Sequence, residues 1–323
     1  RGHARHHSHR RSWLDGPGVH NPVAVSVATV SLASLSYCMG TAEQQYSRTA
    51  GWQAGLRLGF RAGPRRTVLA ERQRHGPLAV QRAFYPEGDI CHVYLLHPPG
   101  GVVGGDQLDI DVRLGQGARS LITTPGATKY YRSKLGQHAR QDQRIDVREN
   151  AILEWLPQQN IFFNGASAVL ETDIHIAAGA KFVGWEMHCY GRPSAEDPFL
   201  EGSVASKTRV SVAGELRLIE QFATVDDDAL QASTGLRGLA MQGCLIAAPC
   251  DLQQKLALEQ ILLDERGSGY GYPVGLTLVD EVLIVRALGQ QAEPMHQLFT
   301  RLWAELRGEW LGKSACPPRI WAT

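Results

Sequence analysis

The stretch HPPGGVVGGD, residues 97–106, decides the fold that the rest of the chain builds. Its two prolines fix φ and remove backbone donors, and its four glycines permit backbone conformations closed to other residues, so no helix can run through it. Apolar, β-rich sequence flanks it at residues 90–96 and 108–114. The stretch therefore predicts a shaped loop between two strands, with the carboxylate of Asp106 at its exit.

The glycine spacing in this loop is close to that of a phosphate-binding loop, but the chemistry differs. Asp106 stands where a lysine is needed, and a strand follows where a helix N-terminus would attract the anion. Val102 and Val103 occupy positions where the dinucleotide fingerprint has its second glycine. A tight crossover between buried strands is one interpretation, and a loop whose carboxylate contacts a cation is the other.

Length and composition narrow the classes of protein further. The 323 residues suffice for one large β-rich domain or two smaller ones. The net charge of +1, from 33 basic and 32 acidic side chains, provides no field for nucleic acid or an anionic membrane, and no apolar run is long enough to span a bilayer. Six cysteines without a CxxC pair argue against a zinc site or a disulfide framework and favour a reducing, cytoplasmic compartment.

Residues 1–50 differ from the rest of the chain. A basic, histidine-rich start precedes an apolar stretch at residues 23–35 that is diluted by serine and threonine, which gives only a weak signal-peptide pattern. The first methionine is Met39. We predict that residues 1–50 are a disordered or misassigned extension, that the functional domain spans residues 51–323, and that the histidines bind metal only adventitiously.

From Trp52 onward the apolar residues alternate with polar ones. Trp52, Leu56 and Phe60 fall on one face of a period-2 pattern, and similar short runs recur as far as residue 222, separated by Gly and Pro turns. Many short strands without helical periodicity predict a mainly β fold, with a large antiparallel body. The absence of a constant repeat length argues against a propeller.

The last third of the chain adds two helices. Asp251 is a candidate N-cap for a helix with leucines at helical spacing, and a stronger apolar stripe follows Pro294. Two strands are predicted between the helices, at residues 275–279 and 282–288. The C-terminal part is therefore predicted as strand, helix, two strands, helix, with both helices flanking the β body.

Three carboxylates stand in otherwise apolar or glycine-rich surroundings: Asp106, Glu154 and Glu186. A buried carboxylate is costly unless it is paired, hydrated or bound to a metal ion. Each one alone is better explained by solvent or an arginine partner, but the three together indicate a wet interior. Nucleophilic catalysis finds no support, because no Gly-x-Ser-x-Gly motif is present and no cysteine has an assignable histidine partner.

A segment rich in cations and tyrosines, residues 123–134, is the candidate for binding a macromolecule. Stacking of bases on tyrosine rings is one use of such a mixture, and docking of a protein partner is another. The balanced charge of the chain favours a protein over nucleic acid. The residues expected to dock a partner are Lys129, Tyr130, Tyr131 and Arg132.

Five motifs in unbroken order resemble the family of the urease accessory protein UreD, called UreH in some organisms. They are HPPGGVVGGD (97–106), TPGATKYYRS (124–133), LEWLPQ (153–158), CYGRP (189–193) and PRIW (318–321). The resemblance covers residues 51–323 and implies a non-enzymatic, β-rich scaffold with two flanking helices. It also implies that the protein joins UreF and the GTPase UreG, docks on apo-urease and helps nickel reach the active site, with no tightly bound cofactor and only transient Ni²⁺.

The resemblance further implies that Asp106, Thr128 and Glu186 belong to an internal nickel passage. Glu154 lies in a family motif as well, and we include it in the passage as a hypothesis. Oxygen ligands spaced along a hydrated path would bind the ion weakly and in sequence, whereas a tight site would trap nickel, which stands high in the divalent affinity series.

Two other functions stay open at this point. One is a pure protein-docking module without a metal path, whose activity would not depend on the interior carboxylates. The other is a divalent-metal-dependent β-fold enzyme that uses Asp106, His92 and His175. A tightly bound, stoichiometric metal ion in the isolated protein, together with catalytic turnover, would favour this alternative.

Overall fold

A computed structural model describes residues 51–134, 136–224, 227–268 and 270–322, so the predicted extension at residues 1–50 lies outside the described residues. Strands make up about half of the described residues. Their bounds are β1 Gln53–Ala62, β2 Thr67–His75, β3 Ala79–Val80, β4 Cys91–Leu96, β5 Gln107–Leu114, β6 Arg119–Thr123, β7 Thr128–Tyr130, β8 Ala139–Val147, β9 Ile152–Leu156, β10 Asn160–Phe162, β11 Ser167–Ile176, β12 Lys181–Arg192, β13 Asp197–Pro198, β14 Ser203–Val212, β15 Glu215–Ala223, β16 Met241–Ala248, β17 Val274–Val279 and β18 Val282–Gly289. The α-helices are α1 Asp227–Gln231, α2 Leu252–Ser268 and α3 Ala292–Leu311.

The strands form two sheets. The first sheet has the order β15-β14-β11-β8-β5-β1-β2, and the second has the order β17-β18-β16-β12-β9-β6-β4-β3, with β7, β10 and β13 attached to it. One apolar core fills the space between the two sheets, and another lies between the second sheet and helices α2 and α3. The protein is thus built in three layers: first sheet, second sheet and helices.

Both sheets are mixed, so the prediction of a mainly β fold is confirmed while the prediction of an antiparallel body is corrected. In the first sheet β1, β5, β8, β11 and β14 run parallel, and in the second β4, β6, β9 and β12 do so. The reason is that successive strands of this region cross from one sheet to the other, so neighbours within a sheet point the same way. Alternation of apolar residues reports the buried face of a strand and not its pairing direction.

The predicted order of the C-terminal part is confirmed, as β16, α2, β17, β18 and α3. Asp251 caps α2, because its Oδ1 accepts hydrogen bonds from the backbone N–H groups of Gln253 (2.7 Å) and Gln254 (3.2 Å). The apolar stripe of α3 is buried at all seven positions: Met295, Leu298, Phe299, Leu302, Trp303, Leu306 and Trp310.

Helix α2 is less deeply packed than its leucines predict. Leu258 and Leu262 are buried against the second sheet, whereas Leu252, Leu256 and Leu263 are more than half exposed. Within the described residues, no helix is both long and apolar enough to cross a membrane.

Candidate functional site: a polar row between the sheets

Four polar side chains stand in line across the inner face of the first sheet. Gln143 on β8, Thr172 on β11, Thr208 on β14 and Glu220 on β15 are register partners from strand to strand. All four occupy positions at which the period-2 alternation points a side chain into the core between the sheets. A polar line in such a place requires partners or water, because an unpaired buried polar group is costly.

The second sheet provides those partners with a line of its own. Glu186 on β12, Cys244 on β16 and Arg286 on β18 are register partners and face the first sheet. The Thr172 hydroxyl donates to Glu186 Oε1 (2.7 Å) and the Thr208 hydroxyl to Glu186 Oε2 (3.3 Å). We call these seven residues the polar row: Gln143, Thr172, Thr208, Glu220, Glu186, Cys244 and Arg286.

An ion pair between β15, the edge strand of the first sheet, and β18 of the second sheet closes the polar row. Arg286 Nε donates to Glu220 Oε1 at 2.8 Å, and Nη2 donates to the other oxygen of the same carboxylate. The hydrogen bond to Glu220 raises the pKa of Arg286, so the guanidinium stays charged. Burial raises the pKa of the neighbouring Cys244 thiol, and the Glu220 carboxylate raises it further, so this sulfur stays protonated and is a poor metal ligand.

Two cavities lie along the polar row. The larger, about 270 Å³, is lined by Gly100, Gly101, Thr128, Gln143 and Glu186 among others, and the smaller, about 60 Å³, extends from Glu186 to the Glu220–Arg286 pair. Each exceeds the roughly 10–15 Å³ that one water molecule needs. Glu186 and Trp155 line both cavities, and Glu186 is the member of the polar row that the two cavities share.

Thr128 and Glu186 are the two predicted passage residues that the structure brings to one cavity. Thr128 opens the short strand β7, and its backbone N–H donates to the carbonyl of Gln159 (3.0 Å). Strand β7 pairs in parallel with β10, which in turn pairs with β12, the strand that carries Glu186. Three hydrogen-bonded strands therefore fix the position of the threonine relative to the carboxylate.

Asp106 lies in the glycine-rich loop and does not line the larger cavity. Its carboxylate, on a residue only 7% exposed, accepts the backbone N–H of Trp52 at Oδ1 (2.8 Å) and that of Val103 at Oδ2 (2.9 Å). Both oxygens are thus engaged in holding the loop closed. The loop in turn contributes Gly100 and Gly101 to the cavity wall, and a side chain at Gly101 would collide with the ring of Tyr131.

Glu154 lies on the opposite face of the second sheet, towards helix α3. Arg307 donates to both oxygens of this carboxylate, Trp303 Nε1 donates to Oε1 (2.6 Å), and Arg307 also contacts Glu87. Burial raises the pKa of Glu154, and the Arg307 guanidinium opposes that shift. The structure therefore gives Glu154 the role of an anchor for α3 and does not bring it to either cavity.

His188 is a functional candidate whose role the sequence does not reveal. It is 3% exposed, with Nε2 3.8 Å from Glu186 Oε2 and Nδ1 3.4 Å from Asn160 Nδ2. Burial lowers its pKa, although the Glu186 carboxylate acts in the opposite sense, so the imidazole is neutral near pH 7. It lies two residues after Glu186 on β12, so the two side chains point to the same face of the strand. This two-residue spacing is the only sequence signal that places them together.

The predicted docking segment is partly on the surface. Lys129, Tyr131 and Arg132 are exposed, but the assignment of Tyr130 to the surface is wrong, since this residue is only 1% exposed. The Tyr130 hydroxyl donates to Gln141 Oε1 (2.9 Å), and burial raises its pKa. The physical reason is that residues 128–130 form a strand, whose alternation turns Tyr130 inward and Lys129 outward.

The structure does not bring together Asp106, His92 and His175, the three residues of the alternative in which the protein is a divalent-metal-dependent enzyme. His92 contacts Glu87 (2.7 Å) on the helix side of the second sheet, His175 is exposed on the outer face of the first sheet, and Asp106 holds its loop. In the part of the chain that the structure describes, no group of three or more His, Cys, Asp or Glu side chains is placed to hold a metal ion.

The fold and the polar row define a class of protein: a two-sheet scaffold with helices on one face and a polar, cavity-bearing interior. A family model described as UreD urease accessory protein matches residues 53–322, so the chain belongs to this family and the predicted resemblance is confirmed. A role in urease maturation follows from that membership.

Individual relatives agree with the family assignment. The urease accessory protein UreD of Aliivibrio fischeri is 43% identical over 284 residues, which cover 85% of this chain and 98% of the relative. The UreD proteins of Vibrio parahaemolyticus (44% over 281 residues, 86% and 98%) and Escherichia coli (43% over 279 residues, 85% and 98%) are similar to the same extent.

Proposed function

We propose that this urease accessory protein helps nickel reach the active site of apo-urease through the interior polar row, in an assembly with UreF and the GTPase UreG. One observation carries the proposal: Glu186 lines both interior cavities, and among the described residues no lysine or arginine forms an ion pair with it. The neutral imidazole of His188 lies 3.8 Å away. A carboxylate without a guanidinium or ammonium partner, beside space for water, attracts a divalent cation.

The ligands around Glu186 suit an ion that must leave again. The carboxylate, the hydroxyls of Thr172 and Thr208, and water are oxygen donors that bind nickel weakly, and the neutral imidazole of His188 adds one nitrogen. The nearest thiol, on Cys244, stays protonated because of burial and the Glu220 carboxylate. Nickel would therefore be attracted to this place without being trapped.

The partner-docking part of the proposal concerns the segment next to the larger cavity. Lys129, Tyr131 and Arg132 are exposed beside Thr128, which lines that cavity. The Tyr131 ring packs on Phe163 at 4.8 Å, so it is a preordered aromatic surface of the kind that protein partners contact. A partner bound here would place its own nickel ligands next to the larger cavity.

The proposal is tested by removing the charge of Glu186 without changing its shape. We expect Glu186→Gln, coexpressed with apo-urease, UreF and UreG, to lower the nickel content of urease at least fivefold while the accessory complex co-purifies in normal yield. Asp173→Asn is the matched control, because Asp173 neighbours Thr172 on β11 but lies on the outer face, 40% exposed. Equal nickel contents for Glu186→Gln and wild type would show that the ion does not use this carboxylate.

A pure docking module is the second candidate, favoured by the exposed side chains of Tyr131 and Arg132. If docking alone accounts for the function, Arg132→Ala reduces co-purification of the complex while Glu186→Gln leaves the nickel content of urease unchanged. The two variants together therefore separate the candidates.

A further inference from the structure

The polar row contains a second carboxylate, Glu220, that the proposed nickel path does not use. Glu220 lines the same cavity of about 60 Å³ as Glu186, but both of its oxygens accept hydrogen bonds from Arg286. The side chains of Glu220 and Arg286 are 21% and 24% exposed, so the ion pair lines the cavity and is also partly open to solvent.

The strand registers place Glu220 and Arg286 each one strand away from a residue that neighbours Glu186. Thr208 donates to Glu186 and is the register partner of Glu220, while Cys244 is the register partner of both Glu186 and Arg286. Adjacent strands are about 4.8 Å apart, which is within the reach of glutamate and arginine side chains. Two carboxylates and a hydroxyl line this one small cavity, and together they form a donor set for a hard divalent cation.

We infer that Arg286 masks a latent divalent-cation site whose ligands are the carboxylates of Glu186 and Glu220. With the guanidinium in place, one carboxylate faces the cavity and cations are bound weakly. Without it, two carboxylates face the same cavity and a cation is retained. The inference rests on the proposed function only for its consequence, namely that an ion reaching Glu186 is released rather than held.

Manganese is the probe that separates this site from the rest of the chain. Mn²⁺ prefers carboxylate oxygen, whereas Ni²⁺ would also bind the four histidines among residues 1–9. Binding to the full chain is measured from the electron paramagnetic resonance signal of free Mn²⁺. We expect Arg286→Met to bind one equivalent of Mn²⁺ at least tenfold more tightly than wild type, and Arg286→Met/Glu220→Gln to return to the wild-type affinity.

The matched control is Arg217→Met. Arg217 lies on β15, three residues from Glu220, and pairs with Asp280 (3.8 Å) and Glu281 (3.7 Å) away from the cavity, so its removal frees carboxylates that do not face Glu186. We expect no change in Mn²⁺ affinity for this variant. An unchanged affinity of Arg286→Met, or a gain that survives Glu220→Gln, overturns the inference.

A second variant keeps the test decisive if Arg286→Met does not fold. Arg286→Lys retains the positive charge but binds one carboxylate oxygen in place of two, so we expect an affinity between those of wild type and the two-carboxylate site. A wild-type affinity for Arg286→Lys then overturns the inference. The Mn²⁺ titration contains no urease, so its result does not depend on nickel delivery. If Arg286→Met does not gain Mn²⁺ affinity while Glu186→Gln still lowers the nickel content of urease, the masked site is ruled out and the proposed nickel path is retained.

Discussion

At the scale of single residues, the environment of Glu186 is set by two threonine hydroxyls. Thr172 donates at 2.7 Å and Thr208 at 3.3 Å, each to a different oxygen of the carboxylate, and they come from neighbouring strands of the opposite sheet. These bonds hold the carboxylate in one orientation across the gap between the sheets. They leave lone pairs of both oxygens for water or a passing ion.

We expect Thr172→Val to destabilise the protein by about 1 kcal/mol, because a hydroxyl donor to a charged group is lost while water in the cavity replaces part of the interaction. The shape of the side chain is preserved, so packing contributes little. Urea unfolding followed by tryptophan fluorescence measures the change. Thr172→Ser, which retains the hydroxyl, is the control, and a Thr172→Val variant as stable as wild type would contradict the assigned bond.

Residues also show where prediction from the sequence reaches its limit. Glu154 and Glu186 both stand in apolar strands, and the sequence predicts one wet interior for both. The structure separates them, because Glu186 faces the gap between the sheets while Glu154 faces helix α3 and Arg307, a partner 153 residues away. Local sequence indicates that a carboxylate is buried, but only the tertiary arrangement decides which face of the sheet it occupies.

At the scale of elements, β8 is a strand that the sequence pattern misses. Its inward positions include Gln141 and Gln143, which line the larger cavity, so the alternation of apolar and polar residues breaks down. The helices, by contrast, are predictable, because the stripe of α3 packs against an apolar face. Sequence periodicity therefore fails on β8, whose inward glutamines line the candidate site.

Helix α3 is anchored to the sheets by a buried ionic contact, in addition to its apolar stripe. Arg307 is 1% exposed and contacts Glu154 and Glu87. We expect Arg307→Met to destabilise the protein by about 3–5 kcal/mol, since two carboxylates lose their cation, and Glu154→Gln in the same chain to restore part of the loss. The measurement is urea unfolding.

The control for this anchor is on the same helix. Arg301 pairs with Glu265 of α2, but its side chain is 57% exposed, so we expect Arg301→Met to cost less than about 1 kcal/mol. Equal costs for Arg301→Met and Arg307→Met would contradict the assignment of Glu154 and Arg307 as the anchor of α3.

At the scale of the whole molecule, the three layers separate surfaces of different character. The outer face of the first sheet carries surface ion pairs such as Arg57–Asp111 (3.3 Å) and Arg209–Asp173 (2.9 Å). The outer face of the second sheet packs against the apolar faces of α2 and α3. The gap between the sheets combines apolar packing with a continuous polar line and two cavities. An ion route through the molecule, as opposed to one over its surface, would have to use this gap.

The most direct test of that route is to fill the gap and count the nickel delivered. Gln143→Trp places an indole in the cavity of about 270 Å³, and Arg144→Trp places the same indole on the outer face of the same strand, where the native side chain is 61% exposed. Each is coexpressed with apo-urease, UreF and UreG, and nickel per urease active site is measured on complexes of equal yield. We expect a loss of at least fivefold for Gln143→Trp and wild-type nickel for Arg144→Trp, whereas full nickel loading with the cavity filled would contradict a path between the sheets.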